Sequence, residues 1–257
     1  MTAIGMFDSG VGGLSVLRET RRLLPDSRIV YVADQAYGPY GDRTLDDVRQ
    51  RADLITERLT NEGAGMIVIA CHTASAAALH YLRERRQPLP VVGIEPAVKP
   101  AAERTATRTV GVLATTATFQ GELFASVVSR FAAGTKVIAR PCPGLADLVE
   151  TGAERSKIER AVREHLEPFR GRNVDQIVLG CTHYSFLGDL IAELSGVQVV
   201  DPAPAVAAQV ERVARQNGLD RGGSAALRLL TTGDPYSFRE RVTALIGPTG
   251  EVAGIDV

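Results

Sequence analysis

No apolar run in this 257-residue chain approaches the ~20 residues needed to cross a bilayer. An excess of one charge is missing too. The net charge of −1 leaves no electrostatic footprint for a nucleic-acid partner or an anionic membrane surface. Cysteine is scarce, and its count of three is odd, which argues against a disulfide framework and for reduced thiols in a cytoplasmic protein. Lysine occurs only at Lys99, Lys136 and Lys157, the other basic residues being arginine. There is no low-complexity tract or flexible linker, so any two lobes should pack together rather than swing on a tether. The opening Met1-Thr2-Ala3-Ile4-Gly5 runs straight into a strand pattern without a basic region or cleavage site, which argues against export.

What is present is the composition of a globular protein, 45% hydrophobic and 23% charged, in a chain long enough for one large domain or two ordinary ones. Within it two cysteines occupy the same point of two look-alike segments, Ile67-Val68-Ile69-Ala70-Cys71-His72-Thr73 and Ile177-Val178-Leu179-Gly180-Cys181-Thr182-His183. A short β-branched apolar run is the mark of a buried parallel strand, and each run gives way to hydroxyl and imidazole side chains. That puts one thiol at the carboxyl end of each of two strands, where open α/β sheets bind ligands. The surroundings repeat as well: Ile4-Gly5-Met6-Phe7-Asp8-Ser9 is similar to Val110-Gly111-Val112-Leu113-Ala114-Thr115, and Pro96 and Pro202 end another matched pair at the same offset of 106 residues. Such repetition implies two related lobes facing each other across a cleft.

Strand patterns at 4–7, 28–32, 66–70, 91–94, 109–113, 136–140, 176–180, 197–200 and 227–231 alternate with helical spacing, as in Leu45, Val48, Ala52, Ile55 and Leu59, and in Ile158, Val162, His165, Leu166 and Phe169. The fold class expected is α/β, with two pseudo-symmetric doubly wound parallel-sheet lobes and the active site between them. Residues 1–97 with the tail 208–257 should form the first lobe and 98–207 the second. The tail is read as a helix, a strand and a second helix.

Phe7-Asp8-Ser9-Gly10-Val11-Gly12-Gly13, Pro39-Tyr40-Gly41, Cys71 with Thr73-Ala74-Ser75-Ala76, Glu95-Pro96-Ala97, Leu148-Val149-Glu150 and Leu179-Gly180-Cys181-Thr182-His183-Tyr184 resemble, in that order, the motifs of the glutamate racemase family, and the likeness runs through most of the chain. The resemblance implies cofactor-independent interconversion of L- and D-glutamate, supplying D-glutamate for peptidoglycan, with Cys71 and Cys181 on opposite faces of the α-carbon. It further implies that Asp8 serves the Cys71 side and His183, with Glu150, the Cys181 side. Substrate would be held by Asp8, Ser9, Pro39, Tyr40, Gly41, His72, Thr73, Thr115, Thr118, Thr182 and His183, helped by the backbone amides of Ser9-Gly10. A homodimer is compatible with it; no nucleic acid or membrane partner is expected.

The residue types suit the chemistry on their own terms. Inverting a stereocentre by proton transfer needs a base on one face and an acid on the other, and a thiol serves as either because its pKa lies near neutrality. Pyridoxal phosphate would need a Schiff-base lysine, and none lies in these motifs, although Lys99 is close to Glu95; no cofactor is expected. Spacings around Cys71 and Cys181 do not suit a metal. Cys142, His80 and His165 read as structural, and Asp34, Glu95 and Asp201 fit helix caps. Gly10-x-Gly12 lacks a third glycine for a dinucleotide loop and reads instead as an anion cradle at a helix start.

Three residues depart from the family pattern: His72 for asparagine, Ser185 for proline and Ala114 for glycine. His72 could carry charge and lower the pKa of Cys71, or reshape the pocket at the substrate's amine end. Rival readings are a racemase of aspartate or another acidic substrate, a cysteine hydrolase built on Cys181 and His183, and a catalytically silent ligand-binding relative.

Overall fold

The computed structural model describes residues 2–220 and 225–257; Met1 and residues 221–224, within the tail, lie outside the described part. The chain runs β1 (Ala3–Asp8), α1 (Leu14–Leu23), β2 (Ile29–Ala33), α2 (Leu45–Asn61), β3 (Ala64–Ile69), α3 (His72–Arg85) and β4 (Val91–Gly93). It continues through α4 (Val98–Arg104), β5 (Thr109–Ala114), α5 (Thr116–Gln120), α6 (Glu122–Phe131), β6 (Lys136–Pro141), α7 (Leu145–Glu150), α8 (Arg155–Leu166), β7 (Gln176–Gly180), α9 (Gly188–Ser195) and β8 (Gln198–Val200). The tail adds α10 (Ala203–Gln216), β9 (Leu227–Thr231), α11 (Pro235–Ile246) and β10 (Glu251–Gly254).

All strand pairings are parallel, in two sheets ordered β10-β9-β2-β1-β3-β4 and β6-β5-β7-β8. The run β2-β1-β3-β4 has the same order as β6-β5-β7-β8, so the internal repeat seen in the sequence is a repeat of topology. Cys71 follows β3 and Cys181 follows β7, and these two strands occupy equivalent places. The first sheet is wider because β9 joins β2 and β10 joins β9.

Burial on both faces explains the continuous apolar runs. On β1, Ile4 and Met6 pack with Tyr31, Val68 and α1 on one face, while Ala3 and Phe7 pack with Val30, Ile69 and α2 on the other, the alternation that a pleated strand imposes. The second sheet has its own pair of cores, one around Leu179 and Ile191 and one around Val110 and Val127. Helix α2 starts where Thr44 Oγ1 accepts from the Asp47 amide at 3.2 Å, and it buries Val48, Ala52, Ile55 and Leu59 as its spacing requires. Phe169 falls beyond α8, in a short 3-10 turn after it, yet stays in the same core.

Three expectations need correction. The final strand β10 was not expected; it forms as an added edge to β9. Asp34 is not a helix cap but a wholly buried acid, gripped by Arg51 through Nε and Nη2 at 2.7 Å each and accepting from Tyr40 Oη at 2.6 Å and Thr232 Oγ1 at 2.9 Å. Glu95 is exposed and caps nothing, whereas Asp201 Oδ1 does accept from the Ala203 amide at the start of α10. Ser185, one of the three departures, donates to that same oxygen.

Candidate active site

The carboxyl ends of β3 and β7 turn toward each other, and between them lies a narrow cavity of about 30 Å³, room for about two waters by the same measure. Cys71 and Cys181 both line it, each a free thiol and about 95% buried (5% and 6% exposed). The first lobe adds Ser9, Pro39, Tyr40, Gly41, His72 and Thr73. The second adds Thr115, Thr182 and His183.

Cys71 is the residue that caps α3, its Sγ accepting from the Ala74 amide at 3.5 Å. Its thiol points to Ser9 Oγ at 3.8 Å, and Ser9 in turn reaches Asp8 Oδ1 at 3.5 Å, a long contact. Burial pushes the Cys71 thiol upward, with the Asp8 carboxylate adding to the shift, so the neutral thiol is the favoured form there. Asp8 is itself wholly buried, and that burial raises its carboxyl above the usual range. It does not line the cavity. Its two oxygens accept from the Gly10 amide and from Thr182 Oγ1, each at 2.9 Å, so it ties the loop after β1 to the residue beside Cys181.

On the other face Cys181 Sγ lies 3.7 Å from His183 Nδ1, and His183 Nε2 lies 2.7 Å from Glu150 Oε2. Burial alone would strip the imidazole of its proton, but the Cys181 and Glu150 contacts outweigh it and hold His183 well above the ordinary histidine range. For Glu150 burial again opposes charge, and hydrogen bonds from His183, Val11 and Gln35 carry the carboxyl below its ordinary value. Val11 donates its amide to Oε2 at 2.9 Å and Gln35 donates Nε2 to Oε1 at 2.6 Å, both from the first lobe. The anion cradle of the Gly10-Val11-Gly12 turn is therefore filled by the protein's own Glu150. The Gly10 amide, expected to grip substrate, is taken by Asp8.

The glycines of that turn allow the lobes to meet. A Cβ on Gly10 would stand 2.2 Å from Glu150 Oε2, and one on Gly12 would stand 2.5 Å from His183 Nδ1 and Thr182 Oγ1. Tyr31 Oη donates to the Gly10 carbonyl at 2.7 Å and fixes the turn from below.

Three hydroxyls close another wall: Thr73 Oγ1 is 2.9 Å from Thr115 Oγ1, and Thr118 Oγ1 lies 2.9 Å from Thr115 and 3.3 Å from Thr73. Thr73 and Thr115 face the cavity, while Thr118, expected to hold substrate, sits behind them. Tyr40 is held toward the cavity by its bond to Asp34.

His72 lines the cavity nearly fully buried, with neither ring nitrogen bonded to another group of the chain. Desolvation takes its pKa down to about 3, so the ring is neutral at working pH and does not lower the pKa of Cys71. Burial thus disfavours the charged role considered for it. What remains is a neutral ring with one donor and one acceptor facing the site.

Sequence reasoning read Cys142 as structural and passed over Thr116 and Asp147, yet all three line the cavity. Cys142 follows β6 directly, a strand end like those of the other two cysteines, but the repetition that marked that pair does not reach it. Its thiol contacts the Arg140 carbonyl at 3.3 Å, and burial pushes it up to about 12. Among the described residues no group of His, Cys, Asp and Glu is arranged to hold a metal ion, and no helix is long and apolar enough to cross a membrane.

This arrangement offers a protonated thiol on one side of a small cleft and a thiol joined to an imidazole–carboxylate pair on the other. Known proteins share its frame. Residues 14–210 match the family model described as Asp/Glu/hydantoin racemase. A glutamate racemase of Ectopseudomonas mendocina is 45% identical over 253 residues, covering 97% of this chain and 96% of that protein. The crystal structure of a glutamate racemase isoform from Bacillus anthracis superposes with a TM-score of 0.89 at 30% identity, covering 100% of this chain and 98% of that one. That of Francisella tularensis glutamate racemase in complex with D-glutamate does so with a TM-score of 0.87 at 27% identity, covering 100% and 97%. With the family model spanning most of its length and relatives matching nearly all of it, this chain belongs to the Asp/Glu/hydantoin racemase family.

Proposed function

We propose that this chain interconverts L- and D-glutamate without a cofactor, by proton transfer between the substrate α-carbon and the thiols of Cys71 and Cys181. The observation that carries the reading is that two free thiols, on equivalent strand ends of opposite lobes, line one cavity. Glutamate as substrate is supported by the relatives above, which are glutamate racemases, one of them solved with D-glutamate bound. The D-glutamate formed would supply peptidoglycan synthesis in the cytoplasm.

In one direction Cys181, as thiolate beside protonated His183, takes the α-proton, forming an S–H bond as the Cα–H bond breaks. Cys71 gives its proton to the opposite face. Turnover leaves Cys181 as thiol and Cys71 as thiolate, the pair of states from which the reverse reaction starts. The carbanion is stabilised in a water-poor site by donors fixed in advance, among them the hydroxyls of Ser9, Thr73 and Thr115. His72, neutral, and Tyr40 would shape the ends of the substrate pocket.

The test is turnover in deuterium oxide without added cofactor, starting from each enantiomer of glutamate and, in parallel, of aspartate. The reading requires racemisation of glutamate with solvent deuterium entering at Cα. Cys71→Ser and Cys181→Ser should each slow it by roughly a hundredfold or more. A cysteine hydrolase would survive the first of these substitutions. Absence of deuterium uptake from either glutamate enantiomer would sink the proposal.

A further inference from the structure

We propose that Gln35 is a positioning residue for proton transfer at Cys181, reaching from the first lobe to fix the Glu150 carboxylate that holds His183. The inference rests on the racemase reading above.

Gln35 follows β2, and Glu150 ends α7 in the other lobe, so the 2.6 Å bond between Gln35 Nε2 and Glu150 Oε1 spans the cleft. Which way the amide faces is dictated by its neighbours. An ionised carboxylate only accepts, so the NH₂ must face Glu150. On its other side Thr231 Oγ1, at the end of β9, donates to Gln35 Oε1 at 2.7 Å while accepting the Gly233 amide at 3.0 Å. The hydroxyl proton therefore has one use, and Gln35 is locked from behind.

With this bond in place each oxygen of Glu150 is engaged. Oε1 has Gln35; Oε2 has the Val11 amide and His183 Nε2. The carboxylate cannot rotate without losing a donor. A carboxylate fixed on Nε2 turns His183 so that Nδ1 meets the Cys181 sulfur. A second arm from the first lobe steadies the same helix end: Arg241 of α11 donates Nη2 to the Val149 carbonyl at 2.6 Å. The titratable and charged groups facing Glu150 are His183, Asp8 and Tyr31, with Arg241 at the neighbouring carbonyl.

Donor and carboxylate come from opposite lobes, so this bond ties the Cys181 side of the site to the first lobe. Enantiomers have equal free energies in water, so the equilibrium constant is one and any variant must lower kcat/KM equally in both directions.

The experiment compares Gln35→Met, which keeps the length and removes the donor, and Thr231→Val with wild type, measuring kcat/KM from each enantiomer across pH together with Tm. Wild-type turnover of glutamate tests the racemase reading; the ratio of variant to wild type tests this one. Gln35→Met should lower kcat/KM by about tenfold from either enantiomer, the loss of one hydrogen bond to a charged group. The acid limb of the profile should move to higher pH, because the carboxylate has lost a donor that favours its charged form. Thr231→Val should move both readouts the same way by about threefold in rate. A rate within twofold of wild type with an unmoved acid limb overturns the proposal, as does a rate loss that follows a fall in Tm with no change in the pH profile.

Discussion

Replacing Gly10 by alanine tests how closely the turn after β1 must approach Glu150. The new Cβ would lie 2.2 Å from Glu150 Oε2 and 2.6 Å from Oε1, well inside any tolerable carbon–oxygen contact. Glu150 can yield, because its carboxylate is the end of a flexible side chain, but it must retreat by about 1 Å. That stretches the 2.9 Å bond from the Val11 amide beyond hydrogen-bond range and pulls the carboxylate off His183 Nε2, now at 2.7 Å. Hydrogen bonds to charged groups contribute about 1.5–3 kcal/mol each, and Glu150 is 23% exposed, so water offsets part of the loss. A net cost of about 2–3 kcal/mol in the transition state corresponds to a fall in kcat/KM of roughly 30- to 150-fold. Stability should fall as well, because the same bonds hold the folded resting state, though by less than their full worth. Gly10 does not have a positive φ, so alanine is tolerated by the backbone, and the lower entropy of the unfolded chain returns about 0.4–1 kcal/mol. Racemisation followed by circular dichroism from each enantiomer, beside thermal unfolding, checks both halves. Activity within threefold of wild type would refute the argument that Gly10 is a glycine for the sake of Glu150.

Two further outcomes follow from the titrating groups. Glu150 is shifted down and His183 up, so their mutual stabilisation is lost as pH falls through the lowered carboxyl value and again as pH rises through the raised imidazole value. The Tm difference between wild type and Glu150→Gln should accordingly be largest between about pH 4.5 and about pH 6.5 and shrink on both sides; a difference that keeps growing into alkali would contradict the pairing. His72→Asn should change KM and leave the pH profile of kcat/KM unmoved from about pH 6 to about pH 9, because a ring with a pKa near 3 does not titrate there.

Much of the frame was legible in the residues because buried parallel strands are written as unbroken β-branched runs, and the chain writes the same β–α order twice. Strand β10 was not legible: Glu251-Val252-Ala253-Gly254 has no apolar run and becomes a strand only because β9 offers an open edge. The thiols could be read from repetition alone, whereas Glu150 stood out only through family likeness, and nothing local marks a glutamate that will be bonded by the opposite lobe. Gln35 was invisible for the same reason, its partner being 115 positions away. Asp34 was misread as a cap because its counter-charge, Arg51, arrives from the next helix rather than from its own turn. His72 shows how burial decides what residue type leaves open: an imidazole can be charged, but one enclosed without a partner is not.

The order of the strands also sets a schedule for the nascent chain. β2 emerges early, but its outer neighbour β9 lies almost two hundred residues downstream, after every strand of the second sheet. During synthesis the second lobe can assemble its four strands while the first still presents the β2 edge to solvent. That edge is a ready template for a wrong strand, from the same chain or another. Folding of the first lobe is thus completed from the far end of the polypeptide, and a ribosome stalled between β8 and β9 would hold a finished second lobe beside an open first one.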